Sequence, residues 1–300
     1  MNAKVVAVVV TYNRKALLQE CIKALLAQTY PELDVLVIDN ASTDGTEELV
    51  RSIEDPRVIY QNTGANLGGA GGFQFGIKKG AALNPDYLWL MDDDSIPTPT
   101  ALEELMGAAK KLGNFGFLSS KVLWKDHSLC NMNVPKVSLN HKLKEFDGAP
   151  KKIIMGTFVS FFVPVAVVKK VGLPIKEFFI WADDFEYSRR ISREYPAYFV
   201  PASVIIHKCK SNNGSNIVTD SPERFKRYQY AYRNEVYVYR REGFPGWVHL
   251  GLKTALHLTK VIMNSKDHKK KRLQIIWDST QKGFSFNPEI EYLKNDDKLS

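Results

Sequence analysis

Residues 87–95, Tyr87-Leu88-Trp89-Leu90-Met91-Asp92-Asp93-Asp94-Ser95, run an apolar stretch straight into three carboxylates with no basic residue beside them. The apolar part predicts a buried strand. Side chains on an extended segment alternate faces, so Asp92 and Asp94 are expected to project together and Asp93 to point away. Carboxylates crowded at a strand end repel one another unless a cation sits between them. A divalent ion suits such a place, and Mg²⁺ in particular takes one or two carboxylates together with substrate phosphates. An Asp-rich turn ahead of Pro97 and Pro99 accounts for the same residues taken alone.

Working outward toward the N-terminus, Lys4 to Thr11 (KVVAVVVT) reads as a strand covered on both faces, as in a parallel sheet. Tyr12-Asn13-Arg14 forms the turn, Ala16 to Ala27 has helical spacing, and Pro31 stops it. Asp34 to Ile38 is a second buried strand, followed by Asp39-Asn40-Ala41-Ser42-Thr43-Asp44-Gly45-Thr46, where Asp44 or Thr43 can cap the next helix. Arg57 to Tyr60 is a third strand. Strands alternating with helices over short connections predict a βαβ sheet, whose ligands sit beyond the carboxyl ends of the strands. Thr11, Asp39 and the Asp92–Asp94 cluster all fall there. Between the third strand and the acidic one lies Asn66-Leu67-Gly68-Gly69-Ala70-Gly71-Gly72-Phe73. Its glycines permit a close backbone approach to a ligand or positive φ, but the spacing matches neither a P-loop nor a dinucleotide fingerprint, and a flexible turn is the plain alternative.

Toward the C-terminus, Ala101 to Leu112 reads as a helix and Gly116 to Leu123 as a strand. Lys125 to Lys152 is polar and irregular, an excursion from the core. Ile153 to Val163 is apolar, and Val165 to Val171 is a short helix ended by Gly172. An aromatic run, Phe178 to Trp181, then presents Asp183 and Asp184 at the start of a helix, where the macrodipole welcomes carboxylates whatever else they do. The functional reading makes one of them a base. Tyr198 to Ile206 leads into His207, a possible metal ligand beside the carboxylates, with Lys208 to Ser215 as a mobile loop nearby.

Composition is that of a globular chain, with 44% hydrophobic and 25% charged residues, and no stretch approaches a membrane-spanning length. The N-terminus has no signal-peptide layout, so a cytoplasmic location is expected. Cys21, Cys130 and Cys209 are scattered along the chain, which suits reduced thiols rather than a disulfide framework or a zinc site. The net charge of +8 is concentrated toward the C-terminus, in Arg224 to Arg241 and Lys266 to Arg272. Trp247 to Met263 has a helical apolar face (Val248, Leu252, Leu256, Thr259, Ile262, Met263) followed by Lys269-Lys270-Lys271-Arg272. That pattern fits an anionic bilayer surface, and a solvated face or an oligomer interface is the alternative. Nucleic acid is disfavoured as a partner, because the acidic clusters would repel a phosphate backbone.

Taken in order, Thr11-Tyr12-Asn13-Arg14, Asp39 to Thr46, Asp92-Asp93-Asp94 and Asp183-Asp184 resemble the inverting nucleotide-sugar glycosyltransferases of family 2, which have the GT-A fold. The Gly-rich stretch with Met91-Asp92-Asp93-Asp94, and Trp181 ahead of Asp183-Asp184-Phe185-Glu186-Tyr187, are similar to bacterial galactofuranosyltransferases. The chain departs from the galactofuranan polymerases in lacking long flanking domains and in placing Ala182 between Trp181 and the Asp pair. The resemblance implies an α/β catalytic domain over residues 1–215, a Rossmann-like, mostly parallel sheet flanked by helices. A basic, mostly helical region at residues 216–300 would serve membrane association or homo-oligomerisation. It implies a UDP-sugar donor held by Thr11 and Asp39, with Tyr12, Asn13, Arg14, Asn66, Gly68, Gly69, Asp92 and Asp93 around it. It also implies Mn²⁺ or Mg²⁺ on Asp92, Asp94 and His207, Asp184 as catalytic base, and Trp181, Asp183 and Glu186 on the acceptor. The expected acceptor is a lipid-linked or growing surface oligosaccharide at the inner face of the plasma membrane. A rhamnosyltransferase using dTDP-rhamnose, or another hexosyltransferase on the same scaffold, is the alternative.

Overall fold

The Val-rich N-terminal segment becomes β1 (Val5–Thr11), buried along its whole length. In the computed structural model, which describes residues 2–212 and 214–294, it is followed by α1 (Lys15–Leu26), β2 (Leu33–Asp39), α2 (Thr46–Arg51), β3 (Val58–Asn62), α3 (Gly68–Ala81) and β4 (Tyr87–Asp92). Asn213, within the expected mobile loop, lies outside the described residues, as do Met1 and residues 295–300 of the C-terminal region. β2 and β4 pair with β1 in parallel, and β3 pairs with β2 in parallel. The register sets Thr11 beside Asp39, Asp39 beside Asn62, and Val10 beside Asp92. One edge of the sheet therefore carries the ends of these strands side by side.

The second half adds β5 (Ser95–Pro97), α4 (Ala101–Leu112), β6 (Leu118–Trp124), β7 (Lys151–Ile153), β8 (Phe161–Pro164), α5 (Val165–Val171), α6 (Asp183–Ser192) and β9 (Ala197–His207). The strand order is β3-β2-β1-β4-β8-β6-β9-β5, with β7 on β9. β8 runs antiparallel to both β4 and β6, whereas β9 is parallel to β6. Alternate residues of β1 feed opposite layers, as strand geometry requires. Val5, Ala7 and Val9 join the core under α1 and α4, while Val6, Val8 and Val10 join the core under α3, α5 and α6.

The Gly-rich stretch is not a flexible turn through most of its length. From Gly68 onward it is α3, and its glycines let the helix lie directly on the sheet. A Cβ at Gly76 would meet Val8 Cγ1 at 2.5 Å and Ile38 Cγ1 at 2.9 Å, and one at Gly72 would meet Val10 Cγ1 at 2.6 Å. Nor does α2 take a side-chain cap from Asp44 or Thr43, since its N-cap is Gly45 at φ 81°. Asp44 instead accepts the Lys15 amide at 2.9 Å and the Thr46 hydroxyl at 2.6 Å, tying the loop after β2 to the start of α1.

The C-terminal region folds as α7 (Phe225–Arg240), α8 (Gly243–Asn264) and α9 (Lys269–Ser285). Tyr228, Tyr232, Val261, Ile275 and Ile276 form the core of this bundle. Tyr237 and Val238 of α7 share a second cluster with Ala70 of α3 and with Ile175 and Phe178.

The close approach of α3 makes a sharp contrast testable. Gly76→Ala gains about 1 kcal/mol of helix propensity but overpacks the sheet contact, which costs about 1–3 kcal/mol, so net destabilisation is expected. Gly107→Ala in α4, where an added Cβ meets nothing within 4 Å, is expected to stabilise by roughly 0.5–1 kcal/mol. Denaturant midpoints measure both, and a Gly76→Ala protein as stable as the parent would contradict the packing described.

Candidate active site

β4 ends at Asp92, and the chain turns at once, so strand alternation does not govern the next two side chains. Asp93 does not point away from its neighbour. The same Arg14 nitrogen, Nη1, donates to Asp93 Oδ1 at 3.1 Å and to Asp94 Oδ2 at 2.8 Å. Thr11, buried at the end of β1, donates its hydroxyl to Asp93 Oδ2 at 2.8 Å. His207, the last residue of β9, sets Nε2 3.0 Å from Asp94 Oδ1. The fold thus supplies two basic side chains that the local sequence lacks, one just past β1 and one from β9.

The charges follow from that geometry. Burial and then the Asp94 charge raise the Asp92 carboxyl to about 7. Burial raises Asp93 to about 6, although Arg14 works against it. Asp94 is buried too, yet His207 and Arg14 hold it below the usual carboxylate range, and the same contact raises the His207 imidazole above its own range. Asp92, Asp94 and His207 each offer a ligand atom within 4.8 Å of the others. An oxygen-rich set with one imidazole suits a hard divalent ion such as Mg²⁺ or Mn²⁺.

Beside this cluster, Asp39 is fully buried and accepts the Ser42 amide and the Tyr60 hydroxyl, each at 2.8 Å. Asn13 adopts φ 52° and accepts the Thr43 amide at 2.7 Å, which laces the loops after β1 and β2 together, while Tyr12 is exposed. Asn66 accepts the Gly68 amide at 2.9 Å, and Gly68 takes φ 71° against Phe179, where a Cβ would lie 2.1 Å from its carbonyl oxygen. An added Cβ at Gly69 meets nothing within 4 Å.

Across from these loops the chain enters α6 through a segment of unusual backbone. Phe179, Trp181 and Ala182 have φ of 62°, 66° and 67°, a left-handed region costly for side chains with a Cβ. Fully buried Asn234 of α7 holds the segment, donating Nδ2 to the carbonyls of Phe178 (3.0 Å), Ile180 (3.3 Å) and Trp181 (2.9 Å). Trp181 meets Tyr228 of α7 edge-on at 5.1 Å. Asp183 and Asp184 open α6 as expected. Burial and then Asp184 raise Asp183 well above the carboxylate range, with a further contribution from Asp92. Burial raises Asp184 to about 6, restrained by the Phe185 amide, its own amide and Lys136. Glu186 is buried with both oxygens bonded to Arg190, at 2.9 and 2.8 Å, and Arg190 in turn grips the carbonyls of Val171 and Leu173.

Sequence reasoning missed Lys136 and Asn234. Lys136 comes from the irregular excursion, which carried no pattern. Asn234 stood out only as a lone amide in a Tyr- and Arg-rich helix. The thiols are free, and Cys130 and Cys209, distant in sequence, converge with His207 within 4.8 Å.

Residues 6–163 match the family described as "Glycosyl transferase family 2". The galactofuranosyltransferase GlfT1 of Mycolicibacterium smegmatis is 26% identical over 261 residues, covering 80% of this chain and 84% of the relative. Among solved structures, S. aureus TarS residues 1–349 in complex with UDP covers 95% of this chain at a TM-score of 0.55 and 16% identity, with 72% of that chain matched. The match spans 44% of a longer TarS chain. The mannosyltransferase PcManGT of Pyrobaculum calidifontis, in complex with GDP-Man and Mn²⁺, covers 96% of this chain and is itself matched over 76%, at a TM-score of 0.56 and 18% identity. At such identities the likeness to the solved structures is one of fold, and the fold is GT-A.

The amide clamp on the strained segment gives a direct test. Asn234→Ala orphans carbonyls in a buried place and is expected to destabilise the protein by about 1–3 kcal/mol in chemical denaturation. An unchanged midpoint would mean that other contacts hold residues 178–182.

Proposed function

The chain belongs to glycosyl transferase family 2, and from that premise we propose that it moves galactofuranose from UDP-galactofuranose to a hydroxyl of a lipid-linked or growing bacterial surface glycan. The observation that carries the reading is the facing of two acidic groups. Asp92–Asp94, Thr11 and Asp39 lie at the carboxyl ends of parallel strands. The segment entering α6 is tied to that end through α3, since Asn40 donates to the Gly68 carbonyl at 3.0 Å and the Ala70 amide to the Phe179 carbonyl at 3.1 Å. The similarity to GlfT1 over most of both chains supports the choice of sugar.

In this reading Asp39 and Thr11 take the uracil and ribose, since a carboxylate that already accepts two bonds retains lone-pair capacity. Asn13, Asn66 and Gly69 line the same corner, with Tyr12 at its rim. Asp92, Asp94 and His207 would hold Mn²⁺ or Mg²⁺, which when bound would neutralise charge developing on the departing diphosphate. Arg14 keeps Asp93 and Asp94 in place beside the phosphates. Asp184 takes the proton of the acceptor hydroxyl as that oxygen attacks the anomeric carbon. The bond from that carbon to the phosphate oxygen breaks on the opposite face, UDP leaves, and the centre inverts. Two adjacent carboxyls, one buried and one half-buried, do not both ionise readily. Asp183 therefore keeps its proton and donates to the acceptor, leaving Asp184 free to act as base. Glu186 braces α6 through Arg190, and Trp181 borders the acceptor.

The acceptor's lipid fits the outer surface of α8. Leu252, Leu256, Ile262 and Met263 are all more than half exposed there, and Lys260, Lys266, Lys269, Lys270 and Lys271 are exposed near its C-terminal end. No helix among the described residues is long and apolar enough to cross a membrane. An apolar face flanked by lysines matches the interface of an anionic bilayer. Arg272 does not belong to that flank. It is buried, donating to the carbonyls of Ile217 at 2.7 Å and Asp220 at 2.9 Å.

Asp184→Asn is expected to lower turnover by about 10²–10⁴-fold while UDP binding stays unchanged. A base works only when ionised, so wild-type turnover at saturating metal should fall as pH drops through about 6 and level off above it. A flat profile, or an Asn variant retaining more than roughly a tenth of the rate, would remove the base assignment. A panel of UDP-galactofuranose, UDP-galactose, UDP-glucose and dTDP-rhamnose tests the donor. Neutralising Lys269, Lys270 and Lys271 to Gln, with Arg272 kept, should weaken binding to anionic vesicles by about 1 kcal/mol per charge. Unchanged co-sedimentation would exclude the membrane surface.

A further inference from the structure

His207 offers its two ring nitrogens to different chemistries. Nε2 faces the carboxylates through Asp94. Nδ1 points the other way, 2.8 Å from Asn133 Oδ1 and 3.8 Å from Cys130 Sγ. Cys130 is buried, and its Sγ lies 3.0 Å from the same Asn133 oxygen. Cys209, two residues past the end of β9, is half-buried, with Met132 Sδ 3.9 Å from its sulfur. We propose that Cys130, Cys209 and the Nδ1 face of His207 form a second cation site, selective for soft divalent ions of the Zn²⁺ class.

The backbone brings these donors together without help from an ion. After β6 the chain doubles back, pairing Leu123 with Leu129 and donating the Cys130 amide to the Val122 carbonyl at 3.0 Å. β9 runs beside β6 with Trp124 opposite His207, so the returning segment delivers Cys130 to the end of β9. The three ligand atoms lie within 4.8 Å of one another. Tetrahedral Zn²⁺, with bonds of about 2.3 Å to sulfur and about 2.0 Å to nitrogen, separates its donors by roughly 3.5–3.8 Å, so binding requires a small contraction and the release of Asn133 Oδ1 from Nδ1 and Cys130 Sγ. Met132 Sδ or water completes the set. Each thiol and His207 Nδ1 pass their protons to solvent as they bind, and two thiolates balance the divalent charge. Half-buried Cys209 leaves a way in for the ion, while Cys130 and His207 close the back.

Softness separates this site from the acidic one. Thiolates favour Zn²⁺, whereas carboxylates suit Mg²⁺ and Mn²⁺. Zn²⁺ on Nδ1 leaves the remaining imidazole proton on Nε2, which then donates to Asp94 and lends no lone pair to a second ion. Zn²⁺ is thereby an antagonist of the hard cation, a consequence that rests on the proposed role of Asp92, Asp94 and His207, although the site itself does not.

The test is a titration of the reduced full chain with Cd²⁺, without donor, following the ultraviolet thiolate-to-metal absorption band. The expected result is a saturating band at one equivalent, displaced by Zn²⁺ and abolished in both Cys130→Ser and Cys209→Ser. Cys209→Ser alters a half-buried position and guards against a folding defect at buried Cys130, with circular dichroism as the check. Absence of the band, its persistence in folded Cys209→Ser, or a Cys130–Cys209 disulfide forming in place of metal binding would overturn the proposal. Because the readout needs no sugar donor, its failure leaves the acidic site untouched, and failure of Mn²⁺-dependent UDP binding leaves the band as expected.

Discussion

Mutual repulsion among the carboxylates of Asp92, Asp93 and Asp94 is the constraint to which the rest of the fold answers. Burial alone favours their neutral forms, and crowding compounds it. Arg14 and His207 relieve that strain from opposite sides. One lies just past β1, the other at the end of β9, so the parallel half of the sheet and its mixed half must close on each other at the tip of β4. The arrangement is balanced rather than saturated: Asp92 stays raised to about 7, while Asp94 is held ionised. A cluster so poised can accept a further cation, which a fully compensated ion pair would resist.

Opposite this acidic edge, the structure tolerates backbone strain at Phe179, Trp181 and Ala182 because other groups over-determine it. Asn234 clamps the carbonyls, and Gly68 makes room for Phe179 against the start of α3. The strained segment aims Asp183 and Asp184, so the C-terminal helices contribute to the geometry of the acidic pair and not only to surface contacts. Strain of this kind concentrates where function requires a fixed and unusual direction.

Much of this architecture is legible in the residues. Uninterrupted Val and Ala announced β1, and Val165 to Val171 was helical to the residue. The ends of β1, β2 and β4 could be aligned from spacing alone. What escaped were contacts between distant segments. Arg14 has nothing about it in sequence that points to residue 93 or 94. The glycines of α3 read as a turn because glycine is a poor helix former, and close packing on Val8 and Val10 overrides that propensity. Strand alternation misplaced Asp93 because the strand ends one residue earlier. Cys130 and Cys209 looked unrelated until the hairpin after β6 folded one back onto the other. Arg272, read with Lys269, Lys270 and Lys271 as one basic flank, is buried among carbonyls that only the folded bundle brings to it.

The proposed central role of the acidic cluster is to hold a divalent ion against a nucleotide diphosphate, and calorimetric titration of the protein with UDP tests it most directly. Binding in Mn²⁺ should be at least roughly tenfold tighter than in chelator, a difference of about 1.4 kcal/mol, and Asp94→Asn should erase that difference. Equal affinity for UDP with and without the metal would contradict it.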